Sequence, residues 1–183
     1  MLPHATKALA NKNYAVTDDF CKIFAEETDS LYLLALLLTG DHARAQECFV
    51  SALHDCLRAK TVFGEWAHSW ARRTVVCKAV ELIDPRRRTG YSEHGPTGSL
   101  AKEDVTTAFS AILGLENFDR FAFVMTVLEK FSDLDCKVLL ECSRQDLVDA
   151  RIRAMRSVAG FLNSPPKPQA TLSQVAPVLA HAS

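Results

Sequence analysis

The segment LYLLALLLTGDHARAQECFVSALHDCL, Leu31 to Leu57, decides how this chain is read. An almost unbroken apolar run, Leu31 to Leu38, meets the break Thr39-Gly40-Asp41, and an amphipathic segment follows at once. Three readings compete: a membrane segment, a generic helical hairpin, or one face of something that docks on a partner. The run is far short of the ~20 residues that a helix needs to cross a bilayer, which removes the first. Gly40 suits the end of one helix and Asp41 the N-cap of the next, so the segment predicts two helices joined by a tight break.

The chain of 183 residues, 48% hydrophobic with a formal net charge of −1, can bury a core in one domain or two small ones. Its opening MLPHATKALANKNY holds no apolar stretch suited to a signal peptide. The cytoplasm is therefore the expected location, with no membrane partner. Six cysteines, Cys21, Cys48, Cys56, Cys77, Cys136 and Cys142, form no C-x-x-C pair, and no histidine stands at zinc-finger spacing from two of them. Buried structural thiols are expected rather than a metal site or a nucleophile. The sequence contains no H-E-x-x-H, G-x-S-x-G, Walker or G-x-G-x-x-G pattern, so neither catalysis nor a cofactor is expected.

Working outward from the hairpin, Phe20, Ile23 and Phe24 mark a preceding helix, and Ala45, Cys48, Phe49, Ala52, Leu53 and Cys56 form one stripe of the helix that starts at Asp41. The segment KTVFGEW leads into a further helix through Trp66, Trp70, Val76 and Val80. Tryptophans four apart are expected in a helical core, and the prediction is that at least one of the two is buried. They also have a functional reading, because aromatics beside cations stack single-stranded bases, and Arg72, Arg73 and Arg86 to Arg88 stand nearby. The run Arg86 to Arg88, preceded by Pro85, reads more simply as a solvated helix end.

The composition then changes. DPRRRTGYSEHGPTGSLAKED, Asp84 to Asp104, holds two prolines and three glycines and reads as a linker. Beyond it, Val105 to Leu115 and Phe118 to Lys130 are helical by spacing. SDLD (Ser132 to Asp135) and SRQD (Ser143 to Asp146) then start two helices eleven residues apart, each with a capping-box signature. A short helix, a turn and a longer helix is the spacing of a helix-turn-helix. On a helical wheel Leu147, Val148, Ile152, Ala154 and Met155 face the core. Asp146, Asp149, Arg153 and Arg156 lie opposite, with Asp149 and Arg153 placed to pair at i, i+4. The proline-rich tail SPPKPQATLSQVAPVLAHAS is expected to be disordered, with VAPVLA available for partner contact.

The expected organisation is all-α, with two small helical domains joined by a polar linker: an arm (1–16), a first domain (17–84), the linker (85–104), a helix-turn-helix domain (105–163) and the tail (164–183).

These residues resemble the extracytoplasmic-function sigma factors of bacterial RNA polymerase. Family members run L-P-x-x-x-R, then V and L-E-G-x-S-x-x-E-I-A-x-x-L-G-x-S-x-x-T-V. This chain carries Leu115, Arg120, Val124, Leu128, Glu129, Ser132, Asp135, Leu140, Ser143 and Leu147 at those offsets. In the first half, LYLLALLLTGDHARAQECFVSAL is similar to the family's L-A-x-x-x-x-G-D-x-x-x-A-E-D-L-V-Q-E-T-F helix pair, and FGEWAHSWARR to its F-x-x-W-L-x-x-I-A-x-N.

The resemblance implies a region 2-like and a region 4-like domain, with core RNA polymerase and promoter DNA as partners and an anti-sigma factor as a further one. It places polymerase docking on Asp41, Gln46, Glu47 and Val50. Promoter melting falls on Trp66, Trp70, Arg72 and Arg73, and reading of a distal promoter element on Arg144, Gln145, Asp146, Asp149, Arg153 and Arg156. Several offsets depart from the family pattern. Glu47 and Val50 replace its Asp and Gln, Arg73 and Cys77 its Asn and Asp, Lys137 its small Ala, and Glu141 the turn Gly, where a positive φ would favour glycine. A competing reading is a sigma-like interaction module that no longer reads DNA.

Overall fold

The apolar run Leu31 to Leu38 becomes the helix around which the rest of the chain is built. The structure, a computed structural model, describes residues 14–86 and 103–163. The chain is all-α. In order, its helices are α1 (Thr17–Glu26), α2 (Thr28–Thr39), α3 (His42–Arg58), α4 (Ala67–Ile83), α5 (Glu103–Leu113), α6 (Asn117–Phe123), α7 (Asp133–Leu140) and α8 (Arg144–Leu162). A 3₁₀ turn, Gly64–Trp66, precedes α4, and a π-helical turn, Val124–Leu128, continues α6.

Leu31, Leu34, Ala35, Leu36, Leu37, Leu38 and Thr39 are all buried, and a helix apolar on nearly every side must be covered on nearly every side. α1, α3 and α4 supply part of that cover, and α5, α6 and the π-helical turn supply more. One continuous core thus runs from Phe20, Ile23 and Phe24 through α2 to Phe121, Val124, Met125, Cys136, Leu140 and Leu147. The two halves of the chain share it. Among the described residues, no helix is long and apolar enough to cross a membrane.

The Thr39-Gly40-Asp41 break is built as the residue types suggest. Gly40 takes φ 74°, Thr39 Oγ1 donates to the Ala35 carbonyl at 2.8 Å, and Asp41 caps α3 by accepting from the Arg44 amide at 2.9 Å. The first arm residues in view are tied down, with the Ala15 amide 2.7 Å from the Val62 carbonyl and Tyr14 stacked on Phe63 at 4.8 Å. Residues 1–13, most of the expected linker (87–102, including Arg87 and Arg88) and the tail (164–183) lie outside the described residues. Where the linker was expected to reach Asp104, α5 has already begun at Glu103.

Arg120 joins the two halves at the end of α2. Its side chain is buried and forms no ion pair among the described residues. Instead it donates to the Leu38 carbonyl from Nε (3.3 Å) and Nη2 (3.2 Å). It also donates to the Leu113 and Leu115 carbonyls (3.3 and 3.4 Å) and to Asn117 Oδ1 at 2.8 Å. The guanidinium therefore sits at the carboxyl ends of α2 and α5, where unpaired carbonyls and the helix dipole favour a cation. Burial pulls its pKa down to about 10, so it remains charged at neutral pH. Gly40 packs directly against it, and a Cβ there would lie 3.3 Å from the guanidinium.

Two expectations follow for denaturant unfolding. Gly40→Ala destabilises by about 1–2 kcal/mol through its left-handed backbone, whereas Gly64→Ala, where a Cβ meets nothing within 4 Å, stays within about 0.5 kcal/mol. Arg120→Ala costs about 3 kcal/mol or more, because it strips buried carbonyls of their donor, and Arg120→Lys, with fewer donors, falls between it and wild type. Equal losses for the two glycine variants would show that the left-handed backbone at Gly40 carries no cost, and an Arg120→Ala variant as stable as wild type would show that its buried hydrogen bonds contribute nothing.

Candidate functional site

α7 and α8 meet through the turn Glu141 to Ser143. Glu141 adopts φ 45° and ψ 47°, so the left-handed turn that glycine would make without strain is made here by a glutamate, at a cost of order 1 kcal/mol. Ser143 caps α8 in a full reciprocal box. Its hydroxyl oxygen accepts from the Asp146 amide, and Asp146 Oδ2 accepts from the Ser143 amide, both at 3.1 Å. The Ser143 hydroxyl, 2.6 Å from Asp146 Oδ2, and then the Ser143 amide hold the Asp146 carboxyl below its usual range.

The matching signature at Ser132 closes only halfway. Ser132 accepts from the Asp135 amide at 3.0 Å, but Asp135 does not return a bond to the backbone. Its Oδ2 accepts from the Ser132 hydroxyl at 2.6 Å, and its Oδ1 accepts from Arg73 of α4 at 2.7 Å. The expected second box is corrected accordingly: a cation from the other half engages the carboxylate.

That bond belongs to a row of ion pairs along the junction of the two halves. Arg72 makes a two-point pair with Glu129, Nε and Nη2 each 2.8 Å from a carboxylate oxygen. Its Nη1 also donates to Ser30 at 2.8 Å and to Glu27 at 3.3 Å. Glu129 is the main reason that the Arg72 pKa is held above its usual value. Glu27 further accepts His68 Nδ1 at 2.5 Å, and Arg86 reaches Glu141 at 3.2 Å. Arg72 and Arg73, expected to be free for nucleic acid, are thus engaged by Glu129 and Asp135.

The tryptophans go the other way. Trp66 is 57% and Trp70 42% exposed, and the inward face of α4 is lined instead by Ala67, Ala71, Val75, Val76 and Ala79. The expectation that at least one is buried is wrong. Small residues let α4 pack closely on α2 and α3, which leaves no room for an indole. Trp66 joins an aromatic row by meeting Phe63 edge to face at 5.1 Å, and Phe63 stacks on Tyr14.

α8 also departs from the wheel. Its buried residues are Leu147, Ala150 and Ala154, while Ile152 and Met155 are exposed. The burial axis is centred near Ala150, where a small side chain admits α5 and α6. Arg153 does not pair with Asp149. It makes a two-point pair with the buried Asp119 of α6 at 3.0 and 2.6 Å, and Asp149 accepts from Gln145 at 2.9 Å. Of the six residues expected to read DNA, all are exposed, and among the described residues Arg144 and Arg156 form no ion pair.

Asp41, Gln46, Glu47 and Val50 are all exposed, Asp41 at the start of α3 and the others along it. Val50 is 57% exposed, an apolar side chain presented to solvent on a polar face. A shallow groove of about 230 Å³ beside it is lined by Glu47, Ser51, Lys78, Glu81 and Leu82. Lys78 bridges Asp55 (2.7 Å) and Glu81 (2.8 Å) across it. Burial pushes the Cys48 and Cys136 thiols up to about 12, which favours their neutral form.

Compared with protein-family models and with curated proteins, the chain matches none.

Glu27, Asp119, Glu129 and Asp135 were not singled out in the sequence as partners of these cations. Their one sequence signal is position: Asp119 and Glu129 interrupt the apolar stretch from Phe118 to Phe131, where a charge needs a partner.

A pH dependence follows from Asp135. The Ser132 hydroxyl first, and Arg73 second, hold its carboxyl below its usual value. A depressed carboxylate adds stability above its unfolded pKa of about 4, and that stability is lost as the pH falls through the lower folded value. Denaturant unfolding of wild type and Asp135→Asn should therefore differ at pH 7 and converge below about pH 4. A gap independent of pH would show that the pair contributes nothing.

Proposed function

We propose that this chain is a sigma-factor-like protein: the exposed face of α3 docks on core RNA polymerase, and the α7-turn-α8 unit reads promoter DNA. The observation that carries this reading is the short helix α7, the tight turn and the longer helix α8 in succession. A three-residue turn keeps a left-handed Glu141 and a fully capped α8 at the offsets where the resemblance requires them, and Arg144, Gln145, Asp149 and Arg156 project into solvent. The exposed Trp66 and Trp70 support a role for the first half in stacking unpaired bases. An exposed Val50 beside Glu47 supports docking, because an isolated apolar side chain among polar neighbours is an economical anchor for a partner. Catalysis and cofactors play no part in the proposal, and its setting is the cytoplasm.

A second reading, a sigma-like interaction module without DNA binding, is favoured by one specific observation. Arg72, Arg73 and Arg153 are each matched to a carboxylate, and a neutralised arginine contributes little to the counterion release that dominates DNA affinity. Under the first reading, Arg72 and Arg73 meet phosphates only when the second half moves off them. An anti-sigma factor that holds the halves together is compatible with both.

Two measurements separate the readings. Glu47→Lys should reduce the amount of core polymerase retained in a pull-down while leaving helicity unchanged. Fluorescence anisotropy on a duplex from the gene's own upstream region should show weaker binding by Arg144→Ala and Arg156→Ala, each lowering the salt slope by about one. Glu129→Gln should bind more tightly than wild type and melt earlier, since it frees Arg72. Polymerase retention with no DNA binding at any salt would select the interaction module. Loss of neither activity in any variant would remove both.

A further inference from the structure

α8 carries a second apolar face that the described residues leave largely exposed. Val148, Ile152, Met155, Ala159 and Leu162 recur at spacings of four, three, four and three, and they lie to one side of the buried set Leu147, Ala150 and Ala154. Ile152 is 40%, Met155 52% and Leu162 51% exposed. A mean spacing of 3.5 residues is the seam along which two helices pack knobs into holes, and an isolated globular chain gains nothing from presenting it to water.

We propose that this stripe is a self-association surface on which a second copy of the chain lays its own α8 antiparallel. Symmetry and charge both indicate that occupant. Centred between Ile152 and Met155, an antiparallel pair sets Ile152 against Met155 of the second copy and Val148 against its Ala159, and the same layers recur on the other side of the axis. Asp149 and Arg156 flank the stripe on one side, seven residues apart and nearly symmetric about the same centre. Antiparallel pairing brings each Asp149 to Arg156 of the other copy, twice per dimer. Among the described residues these charges are available, because the Asp149 carboxylate accepts from the neutral Gln145 and neither Asp149 nor Arg156 forms an ion pair. A parallel pair offers no such match, since it brings Arg156 towards Arg151 of the other copy, a cation that Asp133 of its own chain already engages at 3.3 Å.

This inference does not rest on the sigma-factor reading, but it bears on it. The dimer covers Asp149 and Arg156, so self-association and reading of a duplex by α8 exclude one another.

The test is sedimentation equilibrium of the full chain over a wide concentration range. Wild type should pass reversibly from the 20.2 kDa monomer to twice that mass. Ile152→Glu, at a solvent-facing position that leaves helicity intact, should weaken association at least tenfold. Asp149→Arg and Arg156→Asp should each weaken it, and the two together should restore it, because exchanging both signs rebuilds the pairs. A chain that stays monomeric at every concentration overturns the proposal, as does a dimer indifferent to Ile152→Glu. A double exchange that fails to restore association overturns the antiparallel register. Dimerisation that appears only after removal of the residues beyond 163 would assign the stripe to the chain's own tail and overturn the proposal as well.

Discussion

The burial of Arg120 at the junction of two helix ends is the constraint on which the arrangement of the halves depends. A guanidinium taken out of water needs compensation for its lost hydration, and among the described residues no carboxylate provides it. Five hydrogen bonds to the Leu38, Leu113 and Leu115 carbonyls and to Asn117 do so, reinforced by the negative ends of α2 and α5. The compensation exists only where those two helix ends converge, so the cation specifies their relative position as closely as any apolar contact. Gly40 is part of the same device, because its bare Cα leaves the approach open. The break that reverses the chain between α2 and α3 therefore also receives the second half.

The ion pairs along the junction act differently. Arg120 is sealed in the interior, whereas Arg72, Arg73 and Arg86 keep between 30% and 46% of their side chains exposed. Pairs of that kind are screened by salt and contribute modestly to stability. Their significance under the proposed function is one of competition. Carboxylates claim these arginine side chains in this conformation, the proposal has phosphates claim them in another, and a balance of that kind shifts with ionic strength. The shared apolar core between α2, α6 and the π-helical turn sets how much of that competition the protein can sustain without losing its fold.

Much of the local structure was legible in the sequence, and the reasons are local. Gly40 and Asp41 mark a helix end and a helix start because one tolerates a left-handed backbone and the other offers an acceptor to a free amide. Ser143 and Asp146 close their box because both partners lie within one turn. The same logic failed at Ser132 once a competitor arrived from outside, for Asp135 exchanged a backbone amide for Arg73. The tryptophans failed for a related reason. Spacing placed Trp66 and Trp70 on one side of the expected helix, but it could not say that the row Ala67, Ala71 and Val75 would be the side of α4 that packs.

The sequence by itself determined that the chain is helical, that one helix ends at Gly40 and others start at Asp41, Ser132 and Ser143, and that Leu31 to Leu38 must be covered on nearly every side, because periodicity, capping and hydrophobicity act within a few residues of chain. Tertiary structure alone decided what covers that run, which face of α8 turns inward, and whether Arg72, Arg73 and Arg153 meet carboxylates or solvent. Those outcomes depend on groups brought together across 57, 62 and 34 residues of chain. A charge has no directional preference that its neighbours in sequence could reveal. Its partner is whichever opposite charge the packing of apolar faces happens to deliver.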